Sequence, residues 1–170
     1  MKEQRYCRFC GKELIPKILL DGSKERYCSA CNYVFFSTPS PAVIVMVASK
    51  NRILLARGVG WKHPYWGLIS GHIKRDETAE QTAIREVQEE VGLEISNLKI
   101  LKTCVAGDYG LLMIAFKAKT RGMIIKKSKE LEEAKWFDIN KPLPLRSTSI
   151  AANVVKHVYP RTKLANREEN

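Results

Sequence analysis

No stretch of this 170-residue chain is long and apolar enough to cross a bilayer. The opening residues, MKEQRYCRFCG, lack the apolar run of a secretory signal. Internal repeats are absent as well, so a solenoid or a tandem array is excluded. Histidine is scarce, at three residues, and acids are outnumbered by bases, 18 against 29. These absences lead us to expect a cytoplasmic protein with no membrane partner. Its net charge of +11 favours polyanions such as nucleotides or RNA, although solubility alone would also account for it. One run of bases, Lys117, Lys119, Arg121, Lys126, Lys127 and Lys129, is a candidate patch. Its partial alternation with apolar residues equally suits a solvated strand face.

The chain is 45% hydrophobic, enough for a packed core, and its length suits one domain plus a small accessory module. Residues 1–38 form the expected module. Four of the five cysteines fall into two CxxC pairs, Cys7 with Cys10 and Cys28 with Cys31. Each pair places two thiolates on one side of a tight loop, and two such loops complete a tetrahedral zinc site. Redox cysteines or disulfides are the alternatives, but a redox motif normally uses a single CxxC. Gly11 and Asn32 follow the pairs and tolerate the left-handed backbone such knuckles need. A module this small has little core, so the metal would supply most of its folding energy.

Residues 39–160 read as the main domain, and 161–170 as a flexible tail. Ser37–Pro41 marks the joint. Strands are expected at 42–48, 52–57, around 66–69, and at 98–105, 111–119, 123–126 and 134–137. The apolar stripe Ala79, Ala83, Ile84, Val87 and Val91 predicts a helix over 78–91, closed by Gly92. A second helix is expected over 147–159. Mixed strands with few helices indicate an α/β or α+β fold.

Within the first helix, Glu86, Glu89 and Glu90 stand at i, i+3 and i+4, which gathers three carboxylates on one face. Like charges so close repel unless a hard cation sits among them, and Mg2+ takes oxygen ligands of this kind. Arg85 could orient the carboxylates, and Glu77 could fold back towards them. A solvated acidic face has the same spacing, and spacing alone leaves both readings open.

The pattern Gly71, five residues, Glu77, seven residues, then Arg85-Glu86-Val87-Gln88-Glu89-Glu90-Val91-Gly92-Leu93 resembles the Nudix box at every defining position. The resemblance implies an α/β/α sandwich around a mixed sheet. It also implies divalent-cation-dependent hydrolysis of a nucleoside diphosphate linked to another moiety. Glu86, Glu89 and Glu90 would then hold Mg2+ (or Mn2+), Arg85 and Glu77 would organise them, and Glu89 would help activate water. A zinc ribbon leading into such a box is similar to the NADH pyrophosphatase subgroup. Leu112–Phe116 and Lys129–Phe137 resemble two further segments of that subgroup, which adds Glu130 and the Ser70 carbonyl to the implied metal site. The chain departs from the subgroup in three places. Residues 103–109 lack its Ser-Gln-Pro-Trp-Pro-Phe-Pro motif, His72 replaces a phenylalanine after the box glycine, and its additional N-terminal domain is expected to be missing. His72, Tyr109 and Trp66 are candidate substrate contacts, with Trp61 and Tyr65 as further loop aromatics. NAD(H), ADP-ribose or a related conjugate is the implied substrate, a capped RNA 5′ end a further one, and a homodimer the implied assembly. A non-catalytic nucleotide- or RNA-binding protein is the alternative of a different class.

Overall fold

Two runs of strand organise the chain, and each has its own core. The computed structural model describes residues 4–62, 64–106 and 110–165. Contacts group it into an N-terminal unit ending at Pro39 and a second unit starting at Ser40.

The N-terminal unit is a three-stranded antiparallel sheet of β1 (Ile15–Ile18), β2 (Lys24–Cys28) and β3 (Tyr33–Phe35), in that order. Asp21 accepts from the Ser23 N–H at 3.0 Å and Gly22 takes φ 83°, which makes the tight turn between β1 and β2. The buried apolar side chains are Cys7, Leu14, Cys28 and Phe35, a core too small to hold the unit by burial alone.

The second unit is a six-stranded mixed sheet. Its order is β7 (Ser96–Ala106), β8 (Leu111–Lys119), β4 (Ser40–Ser49), β5 (Arg52–Gly58) and β9 (Leu131–Asp138), with β6 (Ile69–His72) paired to β4. β4 runs parallel to β8 and antiparallel to β5 and β6. The continuous apolar run in β4 is explained by its two covered faces. Val43, Val45 and Val47 pack with Ala83, Val87 and Val91 of α1 (Ala79–Val91). Ala42, Ile44 and Met46 pack with Ala152, Val154 and Val155 of α2 (Ile150–Val158). This is the α/β/α sandwich with a mixed sheet that the sequence implied. No helix among the described residues is long and apolar enough to span a membrane.

Four local expectations need correction. Residues 123–126 form no strand. Their backbone instead caps α1, with the Lys126 and Ser128 N–H groups donating to the Val91 and Glu90 carbonyls at 2.9 and 2.8 Å. A helix leaves its last carbonyls unpaired, and this segment satisfies two of them. The strand expected around 66–69 lies at Ile69–His72, while Trp66 and Gly67 make only isolated bridges. Ile84 is exposed rather than part of the buried stripe. Residues 161–165, read as the start of a tail, are tied down: the Leu143 N–H donates to the Lys163 carbonyl and the Ala165 N–H to the Leu143 carbonyl.

Candidate active site and metal centres

The start of α1 is set by local chemistry. The Thr78 hydroxyl accepts from the Gln81 N–H at 3.2 Å, and the Gln81 side chain accepts from the Thr78 N–H at 2.8 Å. This reciprocal capping box fixes where the helix begins, and with it the phase of every later side chain. At the other end Gly92 adopts φ 67°, and its N–H donates to the Gln88 carbonyl.

Arg85 is the hub of the site. Its Nε and Nη2 donate to the two oxygens of Glu77 at 2.7 and 2.9 Å, a bidentate clamp. Its Nη1 reaches Glu86 at 2.7 Å and Glu89 at 3.0 Å, while Nη2 also donates to the His72 carbonyl at 3.2 Å. One planar guanidinium therefore joins the loop before the helix, strand β6 and two box glutamates. Lysine lacks the fork to do this. Glu77 further accepts from the Thr82 hydroxyl at 2.9 Å and the Lys74 N–H at 3.3 Å. Thr82 is fully buried, and sequence reading missed it because a threonine in a helix carries no signal by itself.

The Arg85 hydrogen bonds, followed by the Thr82 hydroxyl, hold the Glu77 carboxyl down at about 2. The sign follows from linkage. A carboxylate lowered in the folded state stabilises the fold above its ordinary value near 4.5, and that contribution is lost as pH falls towards 2. Glu77→Gln is therefore expected to lower the melting temperature at pH 7 by more than at pH 3. Thermal melts of both proteins across that range check it, and a pH-independent gap would contradict the clamp.

Gly71 makes the seat for Glu86. A Cβ there would overlap the Glu86 carboxyl carbon and Oε1 outright, and would come within 2.6 Å of its Cγ. The glutamate thus lies directly against the β6 backbone. Burial, then the charges of Glu86 and Glu130, push Glu90 up to about 8, partly offset by a hydrogen bond from the Ser70 N–H. Glu130, distant in sequence, is brought towards the box by the Ser128 N–H, which donates to the Glu90 carbonyl at 2.8 Å, and its charge acts on Glu90. In an antiparallel strand the N–H and C=O of one residue point the same way. The Ser70 carbonyl accordingly lies on the side that faces the carboxylates.

These donors fit a hard cation. The box gathers carboxylates around a largely buried Glu90, where burial first and the neighbouring Glu86 and Glu130 charges next disfavour its ionised form. Mg2+ takes oxygen ligands and keeps several waters, which suits carboxylates of this kind.

The four cysteines converge tightly. Their sulfurs all lie within 4.8 Å of one another, with Cys7 and Cys31 at 3.9 Å and Cys10 and Cys28 at 3.6 Å. A tetrahedron with metal–sulfur bonds of about 2.3 Å has edges near ~3.8 Å, so one ion fits between them. Gly11 and Asn32 take the left-handed φ of 72° and 50° that the knuckles need. Burial works against ionising Cys7, yet the Phe9 and Cys10 N–H groups bring it down to about 7. Sharing with Cys10, followed by burial, pushes Cys31 up to about 12. Four thiolates cannot coexist here without a cation among them.

The substrate candidates divide. His72 is exposed and its carbonyl serves Arg85. Trp66 is corrected: it is 9% exposed and packs edge-on against Phe137 with ring centroids 4.9 Å apart. The burial that sequence could not see makes it core. Tyr109 lies outside the described residues. The basic run does not form one patch. The Lys117 ammonium sits 5.0 Å over the Tyr159 ring, beyond α2, while Lys126 lies against the C-terminus of α1.

The sequence profile of the NUDIX domain matches residues 38–158. The chain is 30% identical over 168 residues to the NAD-capped RNA hydrolase NudC of Pseudomonas fluorescens, covering 98% of this chain and 60% of that protein. To the NudC of Chromobacterium violaceum it is 32% identical over 161 residues, covering 92% and 60%. The chain thus spans about 60% of the length of these curated relatives. A NUDIX hydrolase crystal structure from Nitrosomonas europaea superposes with TM-score 0.75 at 19% identity, covering 96% of this chain and 97% of that one. At that identity the likeness speaks for the fold. The matched profile takes in the glycine, the clamp and the glutamates just described, and on that ground this chain belongs to the Nudix family.

Proposed function

We propose that this chain is a divalent-cation-dependent hydrolase of the pyrophosphate bond in a nucleoside diphosphate linked to another moiety, such as NAD(H) or ADP-ribose. One observation carries the reading. Arg85 ties Glu86 and Glu89 together, Gly71 seats Glu86 against the strand backbone, and the charges of Glu86, Glu89 and Glu130 all act on a largely buried Glu90, an excess of carboxylate that a cation would offset. Glu86, Glu89, Glu90, Glu130 and the Ser70 carbonyl would hold Mg2+ (or Mn2+). When bound, that ion neutralises phosphate charge and acidifies water. Glu89 has one oxygen on Arg85 and a half-exposed side chain, so its other oxygen would be the one to meet the metal and the attacking water. Arg85 and Glu77 act as positioning residues. Glu77 carries no metal in this scheme, because both of its oxygens are already engaged.

Zn2+ is the ion proposed for Cys7, Cys10, Cys28 and Cys31, in a structural role. Thiolate ligands and a closed tetrahedron favour it, and free thiols accord with a reducing cytoplasm. The names of the curated relatives make the NAD-capped 5′ end of RNA a further proposed substrate, and the basic charge agrees. A homodimer is proposed for the assembly.

Glu89→Gln tests the assignment. It is expected to lower kcat on ADP-ribose or NADH with Mg2+ by about 10²- to 10⁴-fold while the melting temperature stays close to wild type. Unchanged hydrolysis would refute the catalytic role and favour a nucleotide-binding protein.

A further inference from the structure

Among the described residues of the second unit, one Phe, Tyr or Trp side chain stands exposed: Trp61, at 46%. Its position is built rather than incidental. Gly58–Trp61 is a tight turn closed by the Trp61 N–H donating to the Gly58 carbonyl at 3.2 Å, and Gly60 at φ 80° supplies the left-handed residue it needs. The indole lies across two glycines. A Cβ at Gly58 would meet its Nε1 at 2.6 Å, and one at Gly67 would meet its Cζ3 at 2.9 Å. Any side chain at either position would push the ring away.

Gly67 is paired with Ala56, and Ala56 packs with Val87 and Val91 of α1. Paired residues share a face of the sheet, so the tryptophan lies on the face covered by α1, the helix that carries the glutamates. The adjacent Val59 N–H donates to the Glu130 carbonyl at 2.9 Å, which joins this turn directly to the residue beside Glu90. One face of the ring is thus seated, the rest is open to solvent, and the turn that holds it is fastened to the carboxylate cluster.

We propose that Trp61 is the stacking platform for the nucleobase of the substrate, a specificity-determining residue that fixes the base while the diphosphate reaches the glutamates. The proposal rests on the pyrophosphohydrolase reading above. A flat aromatic surface of this kind is sequence-tolerant, since every base has a π-face. A glycine floor leaves the ring no freedom to fold away, so little ordering is lost when the base arrives.

The test measures hydrolysis of ADP-ribose and NADH by W61A, W61F and G67A, with the melting temperature of each. Loss of the stack is expected to raise KM in W61A by about fivefold to 150-fold, with a much smaller change in kcat. G67A, which dislodges the ring without removing it, should shift KM in the same direction, and W61F should recover most of the wild-type value. KM within twofold of wild type in W61A on both substrates would overturn the proposal. A second readout is independent of turnover: ADP is expected to quench wild-type tryptophan fluorescence, and the quench should vanish in W61F. Quenching that persists in W61F, or is absent in wild type, overturns it too. If wild type hydrolyses neither compound yet shows the W61F-sensitive quench, the platform stands and the hydrolytic reading falls.

Discussion

Replacing Gly71 with alanine is expected to abolish Mg2+-dependent hydrolysis while the sandwich stays folded. The added methyl group would occupy the space of the Glu86 carboxyl. Neither backbone can yield. β6 is locked into β4 through the register Val43 to Gly71 and Ile44 to Ser70, and α1 is anchored by the fully buried Ala83, Val87 and Val91. The glutamate must therefore rotate out, breaking its bond to Arg85 and vacating the proposed metal site. Overpacking of this sort costs about 1–3 kcal/mol, a small part of the stability of a domain this size. The loss should thus appear as activity at background with a melting temperature only a few degrees lower. Hydrolysis within threefold of wild type would show that Glu86 need not sit on the strand.

Removing the metal from the cysteines should unfold the N-terminal unit outright. Its buried apolar residues are Cys7, Leu14, Cys28 and Phe35, and two of these are themselves ligands in the proposed site. Structural zinc contributes apparent binding energies of about 10–16 kcal/mol, far more than so small a core supplies. With a strong chelator, or in Cys28→Ser, amide protection over residues 4–39 is expected to collapse while the strands of the second unit keep theirs. Metal analysis of the wild type should find about one zinc per chain, as a four-thiolate site requires. Unchanged protection in the metal-free protein would mean that the aromatic contacts of Phe9, Tyr33 and Phe35 hold the unit, with ring centroids 4.8–5.9 Å apart.

Much of this was legible in the residues because it is local. Thr78 and Gln81 cap a helix wherever they meet, and glutamates at i, i+3 and i+4 share a face in any helix. Two CxxC pairs bring thiolates together through turns of a few residues. The alternating faces of β4 were not visible as alternation, since both are buried, but the unbroken apolar run announced that burial. Glu130 is another matter. Nothing local ties it to a helix that ends at Val91, and resemblance alone suggested it, whereas the structure places its charge beside Glu90.

By itself, then, the sequence determined the glutamate-bearing helix, the cysteine knuckles and a mixed α/β class, since propensity, capping and periodicity act over a few residues, while the layering of the sandwich was implied by the resemblance to the Nudix box. Only the tertiary structure decided which tryptophan is core and which is free. Trp66 and Trp61 have the same chemistry and neighbouring positions, and their difference lies in what packs against them. The same holds for residues 123–126, whose strand-like pattern yielded to the unpaired carbonyls of α1. It holds as well for Gly71, whose missing side chain acquires meaning once the strand and the helix are pressed together.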